Sequence, residues 1–145
     1  MSNVNFTQRD IDSAHDAVQR VFQALARKIQ ERLPSVHAIF GKASNERFPL
    51  YSYVSFEDKH MPAVDPVVAA VDLRIDGTKL AVKTDLIGEE TGQVYLEPIT
   101  RTVLFEPNQT EWLASLTQLT QDLADRASPI VQRLFEHATP LKTSA

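Results

Sequence analysis

The chain has 145 residues, no cysteine and a formal net charge of −4 at pH 7. This length is typical of one domain that buries its own core, so residues 1–145 are expected to form a single domain. The absence of cysteine excludes disulfides and thiolate nucleophiles, and it fits a reducing compartment. Because the first residues do not resemble a signal peptide and no apolar run could span a bilayer, we expect a cytoplasmic protein without a membrane partner.

Charge is distributed unevenly along the chain. Residues 61–145 carry twelve acidic and seven basic side chains, whereas residues 1–60 carry seven acidic and eight basic ones. A nucleic-acid partner requires a basic stripe that contacts phosphates. The acidic balance therefore argues against nucleic-acid binding.

A first helix is predicted from residue 8 to residue 33. Thr7 is followed three residues later by Asp10, a variant of the capping box that begins many helices. Apolar residues then recur at helical spacing at Ile11, Ala14, Val18, Phe22, Leu25 and Ile29. Pro34 ends the pattern, because proline cannot continue a helix.

Strand patterns follow this helix and are separated by polar segments. Residues 36–40 form a possible short strand, followed by a polar turn over residues 41–45 and a clearer strand from Phe48 to Phe56. Charges and prolines in residues 57–66 indicate a loop. A last strand is predicted over residues 93–105, with Pro98 at a bulge or in an edge strand, because proline cannot donate to a ladder.

The strongest local signal is a hairpin between Val67 and Ile87. Both halves alternate with period two and meet at Asp76-Gly77, which predicts a two-residue type I′ turn. This turn would pair Leu73 with Leu80 and Val71 with Val82. The core is expected to contain Val71, Leu73, Leu80 and Val82, packed against Phe22, Leu25 and Leu116. The opposite, wet face is expected to carry Asp72, Arg74, Lys79, Lys83 and Asp85.

A second helix is predicted after Asn108, which is followed by Glu111 in a further capping pattern. Its apolar stripe contains Trp112, Leu113, Leu116, Leu119 and Leu123. Ser128-Pro129 is expected to restart or kink this helix, since proline is tolerated at a first helical position. Residues 139–145 are expected to form a frayed tail.

Together these elements predict an α+β fold. It has a long N-terminal helix, an antiparallel meander of four to five strands, and a C-terminal helix or kinked helix pair packed on one sheet face. The order of elements resembles that of small cystatin-like cups and of the secretion-chaperone type of α/β sandwich. Because no family motif is matched, the resemblance implies a fold without implying a function.

Few residues could carry chemistry. Asp12, His15 and Asp16 share one face of the first helix and are residue types that bind metals, but acidic residues are also favoured in the first turns of any helix. No histidine stands near Ser52 or Ser55 in the sequence, although tertiary contacts could supply one. We therefore expect no metal, no cofactor and no catalytic residue.

One group of side chains is suited to binding a ligand. Tyr51, Tyr53 and Tyr95 supply aromatic hydroxyls on predicted strands, and Arg74 and Arg101 supply cations. If the sheet curves, these five residues could line a cup that is mostly apolar with a few polar groups. Tyrosines also cover half-exposed strands in the absence of a ligand, so a purely structural role is the alternative.

The absence of catalytic motifs favours a non-enzymatic module that binds another protein or itself. A first helix of roughly 39 Å is about as long as such a domain is wide. Ala17, Val21 and Ala24 widen its apolar stripe, so we expect a homodimer, unless the terminal helix covers this face within one chain. The alternative function is a small-molecule-binding cup on the sheet, with or without catalytic activity.

Overall fold

The computed structural model describes residues 6–43, 49–106 and 109–137. Its elements are α1 (Gln8–Arg32), β1 (Val36–Ala43), β2 (Leu50–Asp58), β3 (Val67–Asp76), β4 (Lys79–Gly88), β5 (Val94–Leu104) and α2 (Glu111–His137). This is the α+β fold expected from the sequence. The predicted strand start at Phe48, the cap at Asn108 and the tail over residues 139–145 lie outside the described residues.

Helix α1 begins with the predicted capping box. The Thr7 backbone N–H donates to Asp10 Oδ2 at 2.9 Å, and the Asp10 N–H donates to Thr7 Oγ1 at 3.2 Å. These bonds satisfy donors that no helical carbonyl can reach. The helix ends at Arg32, one residue before the predicted end. Leu33 is its C-cap, and the Leu33 N–H donates to the Ile29 carbonyl at 2.8 Å.

The five strands form one antiparallel sheet in the order β1-β2-β3-β4-β5, so each strand pairs with its neighbour in the chain. Strand β1 is longer than predicted, because Gly41 pairs with Tyr53 and Ala43 with Tyr51. The predicted turn is therefore wrong over residues 41–43, and its last two residues lie outside the described part of the chain. Pairing with β2 satisfies the backbone of Gly41 and outweighs the low strand propensity of glycine.

The β3–β4 hairpin forms with a loop one residue further along than predicted. Asp76 pairs with Lys79, so the loop is Gly77-Thr78, and the predicted Asp76-Gly77 loop is wrong. Gly77 has a φ of +66°, which the first position of a primed hairpin turn requires. Glycine adopts this left-handed conformation without the steric penalty of a Cβ.

The new loop changes the cross-strand partners without changing the faces. Leu73 pairs with Val82 instead of Leu80, and Val71 pairs with Thr84 instead of Val82. A register shift of two residues keeps each side chain on its predicted face, whereas a shift of one would exchange the faces. The four predicted core residues of the hairpin are accordingly buried, each at most 1% exposed.

Both helices cover the same face of the sheet. Helix α1 lies over β1 and β2, helix α2 lies over β3, β4 and β5, and the two helices pack against each other. The expected partners of the hairpin, Phe22, Leu25 and Leu116, are all buried in this layer, so the predicted core is confirmed. Neither helix, over the residues described, has an apolar stretch long enough to cross a bilayer.

Two prolines lie inside regular elements. Pro98 is in the edge strand β5, opposite a register irregularity of β4, which confirms the predicted bulge at an edge. Pro129 lies inside α2, which runs unbroken from Glu111 to His137, so the helix does not restart there and the single C-terminal helix is the predicted alternative that forms. Ala127 and Val131 on either side of Pro129 are fully buried. Tertiary packing of this kind holds a helix together where local propensity does not.

A carboxylate joins two connections at one end of the sheet. Asp65, between β2 and β3, accepts backbone N–H bonds from Glu90 at 2.9 Å and Thr91 at 3.0 Å, and the Thr91 hydroxyl at 2.7 Å. Desolvation acts to raise the pKa of Asp65, but these hydrogen bonds outweigh it and hold the pKa below its ordinary value. Gly88 leaves space for the carboxylate, since a Cβ there would collide with Asp65.

We predict that Leu80→Ala lowers the free energy of unfolding by about 2–5 kcal/mol, because it opens a cavity in the core. Ile75→Ala is the matched control: Ile75 pairs directly with Leu80 on the same face but is 39% exposed. The control should lose at least about 1 kcal/mol less, since less apolar area is buried. Denaturant melts measure both changes. A loss below about 0.5 kcal/mol for Leu80→Ala would contradict the core position.

Candidate functional site

The sheet face that the helices leave uncovered, here named the open face, has carboxylates and tyrosines at its centre. Strand pairing arranges its side chains in rows across the sheet. The two central rows are Tyr51, Asp72, Lys83 and Tyr53, Ala70, Asp85. Asp72 and Asp85 are thus diagonal neighbours on the central strands β3 and β4, a relation in which Cα atoms typically lie about 7–8 Å apart.

The open face is less wet than the sequence predicts. Ala70 is 1% exposed and Val68 7% exposed, although both point away from the helices. Small side chains in the middle of a sheet are screened by taller neighbours on both sides. Arg74 is exposed near the hairpin end, but the side chain of Asp85 is only 14% exposed. The predicted wet face is therefore wet at its hairpin end and half-buried at its centre.

Two carboxylate oxygens at this centre have no hydrogen-bond partner. Oδ1 of Asp72 and Oδ1 of Asp85 are buried and meet no donor within the described residues. Lys83 Nζ lies 3.9 Å from Oδ2 of Asp85, at the outer limit of an ion pair. It donates no hydrogen bond to either Oδ1 atom. A buried acceptor without a donor costs about 1–3 kcal/mol, and more when it is charged. A ligand that brings donors to these oxygens would remove that penalty.

Burial raises the pKa values of the cluster. Desolvation, followed by repulsion from Asp85, raises the pKa of Asp72 to about 6, against the opposing effect of Lys83. Desolvation also raises the pKa of Asp85, again opposed by Lys83. Desolvation and the charges of both carboxylates raise the pKa of Tyr51 to about 12. The Tyr51 hydroxyl therefore stays protonated and remains a hydrogen-bond donor.

Two tyrosine rings form the aromatic part of the open face. The ring centroids of Tyr51 and Tyr53 lie 5.7 Å apart, with their planes inclined by 40°. The Tyr53 ring covers Gly41 of β1, where a Cβ would come within 2.5 Å of Tyr53 Cζ. Glycine at position 41 therefore lets the Tyr53 ring lie flat against the edge strand, a known use of glycine in sheets.

A row with four apolar residues and one serine crosses the sheet beside the carboxylates, and it is here named the apolar row. Strand pairing aligns Ile39, Ser55, Val68, Ile87 and Val94, one residue from each strand. Ile39 and Val94, at the two edges, are 49% and 48% exposed. Five strands at a spacing of about 4.8 Å make the row about 19 Å wide. Exposed apolar surface next to polar groups is typical of a binding surface.

The five residues predicted to form a ligand site do not lie on one surface. Tyr51, Tyr53 and Arg74 are on the open face. Arg101 lies on the side that the helices cover, in a groove between β5 and α2. Tyr95 is partly buried against the hydrophobic core, and desolvation raises its pKa. The structure therefore places three of the five on one face, where Tyr51 and Tyr53 are in contact, and separates Arg101 and Tyr95 from them.

A serine–histidine contact does form, on the helix-covered side of the sheet. His15 Nδ1 lies 3.0 Å from Ser52 Oγ, and Gln19 Nε2 donates to the same oxygen at 2.9 Å. Desolvation and the nearby charge of Lys42 lower the pKa of His15, against two neighbouring carboxylates. Ser52 is fully buried, so a substrate cannot reach its hydroxyl. This network fastens α1 to β2.

Asp12 of α1 is engaged in local contacts. Asp12 lies 3.9 Å from Lys42 Nζ and accepts a hydrogen bond from Gln8 Nε2 at 3.0 Å. The His15 side chain, the imidazole of the predicted metal cluster, contacts Ser52 of β2 instead. Over residues 6–43, 49–106 and 109–137, no three His, Asp or Glu side chains are placed to hold a metal ion.

Asp72 and Asp85 are the site residues that sequence reasoning missed. The sequence predicts both on the wet face of the hairpin, and the alternation of the strands does not show how far neighbouring side chains bury them. Because β3 pairs with β2 and β4 pairs with β5, each carboxylate has neighbours on both sides. Their position in the middle of two alternating strands is the one signal that could have found them.

We predict that Asp72→Asn raises the free energy of unfolding at about pH 7.5 by about 1 kcal/mol, a value reduced from the full pKa shift because the carboxylate is half-solvated. The pKa of Asp72 is about 6 in the folded protein, whereas it is 3.8 in the unfolded chain. Wild-type stability should therefore rise as pH falls from about 7.5 to about 5, and this rise should shrink in the variant. Denaturant melts at several pH values measure both effects.

Asp76→Asn is the matched control, because Asp76 lies in the same strand and is exposed. It should change neither the stability nor its pH dependence. Below about pH 4 all three proteins should lose stability, because protonation of Asp65 removes a carboxylate whose pKa is lowered in the folded state. A destabilised Asp72→Asn variant with the wild-type pH dependence would contradict the prediction.

Comparison of the chain with protein-family models, with curated proteins and with solved structures finds no match. The comparisons therefore supply neither a family nor a relative from which a role could be transferred. The chemistry of the open face is the basis for assigning a function.

Proposed function

We propose that this protein is a non-enzymatic binding module that takes a basic, partly apolar segment of another protein on its open face. The observation that carries the proposal is the pair of buried, unpartnered oxygens on Asp72 and Asp85. An ammonium or guanidinium group brings N–H donors and positive charge, which are what these oxygens lack. A cytoplasmic location belongs to the proposal and is supported by the cysteine-free sequence.

The width of the open face favours a macromolecular partner. The apolar row beside the carboxylates ends in Ile39 and Val94 at opposite edges of the sheet, about 19 Å apart by strand spacing. A small amine could contact the carboxylates but not both ends of this row. Protein interfaces combine apolar contacts with a few anchoring residues, and arginine is prominent among these anchors. A segment with one cation between apolar residues fits both features.

The chemistry of the face supports a binding role rather than a catalytic one. Asp72, Asp85 and Lys83 supply acceptors and a cation, but none of them is an activated nucleophile. The Tyr51 hydroxyl, with a pKa raised to about 12, is a poor base near neutral pH. Ser52 has a histidine neighbour but is buried on the other side of the sheet.

The test uses a short peptide with one arginine between valine and leucine residues, and a matched peptide in which citrulline replaces the arginine. Citrulline keeps the shape and removes the charge. The wild-type protein should bind the arginine peptide at least about tenfold more tightly, because charge complementarity is what distinguishes the two. Calorimetry measures the affinities, and amide shifts of Asp72 and Asp85 in nuclear magnetic resonance spectra locate the site.

Matched variants separate the carboxylates from general charge. Asp72→Asn should weaken arginine-peptide binding about tenfold, and the exposed Asp76→Asn should leave it within about twofold. Wild-type affinity should fall below about pH 6, where Asp72 takes up a proton. Equal binding of the two peptides contradicts the proposal. Methylguanidinium binding as tightly as the peptide would favour the alternative function, a small-molecule cup on this face.

The homodimer expected from the sequence stays a prediction. Helix α2 packs against α1, and Val21 is only 7% exposed, so α2 covers part of the face assigned to a second copy. Ala17 and Ala24 line a groove of about 490 Å³ between the helices. Light scattering at micromolar concentration should give about twice the chain mass of 16.3 kDa. A mass near that of one chain contradicts the dimer.

A charge in the interhelical groove tests where a dimer would form. Ala24→Glu, at an exposed position, should return the mass to that of one chain without loss of helical circular dichroism. Gln23→Glu, exposed on the same helix, is the control and should leave the mass unchanged. A dimer that survives Ala24→Glu must use another surface.

A further inference from the structure

A groove runs between the edge strand β5 and helix α2. Its volume is about 620 Å³, and its α2 wall includes Trp112, Ser115 and Leu119, which recur at helical spacing. A continuation of about 280 Å³ shares Arg101, Leu119 and Asp122 with it. The two stretches therefore form one channel that follows the strand.

The opposite wall of this groove is the backbone edge of β5. Four consecutive residues, from Arg101 to Leu104, line the groove. Consecutive side chains of a strand point to opposite faces, so what all four share on one side is their backbone. Strand β5 is last in the sheet order, and its outer edge pairs with no strand of the described chain. The groove thus joins backbone donors and acceptors to a wall of side chains.

This edge is only partly protected against pairing. Natural edge strands are commonly blocked by proline, lysine or a bulge. Pro98 and the adjacent bulge interrupt the first half of β5, but residues 99–104 contain neither proline nor lysine. That stretch can accept a further strand through main-chain hydrogen bonds, as many peptide-binding domains do.

The charge of the groove defines which strand fits. The lining of the 620 Å³ stretch contains three carboxylates, Glu106, Glu111 and Asp122, and one guanidinium, that of Arg101, and the continuation adds Asp125 and Arg126. Pairing of two β5 strands from two copies would bring both sets of carboxylates to one edge, and this like-charge contact disfavours a second copy. A basic strand neutralises the same carboxylates.

We propose that β5 and α2 bind an extended basic peptide as a sixth strand, at a site separate from the open face. The peptide backbone pairs with residues 99–104, and every second side chain enters the groove. Lysine or arginine is favoured at those positions, because its aliphatic stem packs on the half-buried Leu119 while its charged end reaches Glu111 or Asp122. β-branched residues between the cations favour the extended conformation.

The test uses the Asp72→Asn/Asp85→Asn protein, so that binding at the open face cannot account for the result. The probe is a short peptide of alternating valine and lysine. It should slow hydrogen exchange of backbone amides in residues 99–104 by about tenfold or more, because they become paired or covered. Two matched peptides should bind at least about tenfold more weakly: one with glutamate in place of lysine, and one with alternate backbone nitrogens methylated.

Two adjacent variants of α2 locate the groove. Ser115 and Ala114 are both exposed, but Ser115 lines this groove and Ala114 lines the one between the helices. In the same background, Ser115→Lys should weaken binding of the valine–lysine peptide about tenfold, and Ala114→Lys should leave it within about twofold. Circular dichroism confirms that both variants are folded.

Three results would overturn the proposal. The first is peptide binding without protection in β5, and the second is an equal effect of the two α2 variants. The third is protection of residues 99–104 before any peptide is added, in a protein whose doubled mass survives Ala24→Glu, because a second copy would then occupy the edge rather than the groove between the helices. Failure of the arginine peptide to bind the wild-type open face would leave this proposal intact, because the double variant removes that site.

Discussion

The burial of one face of the meander beneath two helices is the constraint on which the rest of the structure depends. Because side chains alternate along a strand, placing Leu73 and Val82 beneath the helices also places Asp72 and Lys83 on the opposite face. The packing of the core therefore determines which residues lie on the open face, although those residues contribute little to the core. The hydrogen bond from Gln19 to buried Ser52 fastens the helical layer to the sheet.

The centre of the open face departs from what stability alone would select. Asp72 and Asp85 each have a buried oxygen without a hydrogen-bond donor. The same burial disfavours the charged form of each carboxyl and so raises its pKa. Groups that are unfavourable in this way concentrate at sites that bind or react. The large apolar core and the helix cap offset the penalty, so the fold tolerates a face that is better suited to contact than to solvent.

The helix cap, the strand faces and the meander order could be predicted from the sequence, whereas the exact loop and the degree of burial of single side chains could not. The helix cap and the faces of β3 and β4 were predictable, but Asp76-Gly77 and Gly77-Thr78 are overlapping loops that local pattern does not separate. Arg101 lies two residues after apolar Ile99 and therefore points to the same, helix-covered face. This spacing is a signal in the sequence that separates Arg101 from the tyrosines of the open face. Tyr95 precedes the bulge, where alternation breaks down. The burial of Asp72 depends on the side chains of its flanking strands, and their screening effect is not visible in the alternating pattern.

The position of α2 in the chain has a consequence for synthesis. This helix follows all five strands and covers three of them, and it also packs against α1, the first element described. At a translation rate of about 5–20 residues per second, the 27 residues of α2 take a few seconds to be added after β5 is complete. During that interval the apolar face of β3, β4 and β5 has no helix over it, whereas α1 can already cover β1 and β2. Chaperone dependence should therefore peak just before α2 emerges from the ribosome and end once it docks.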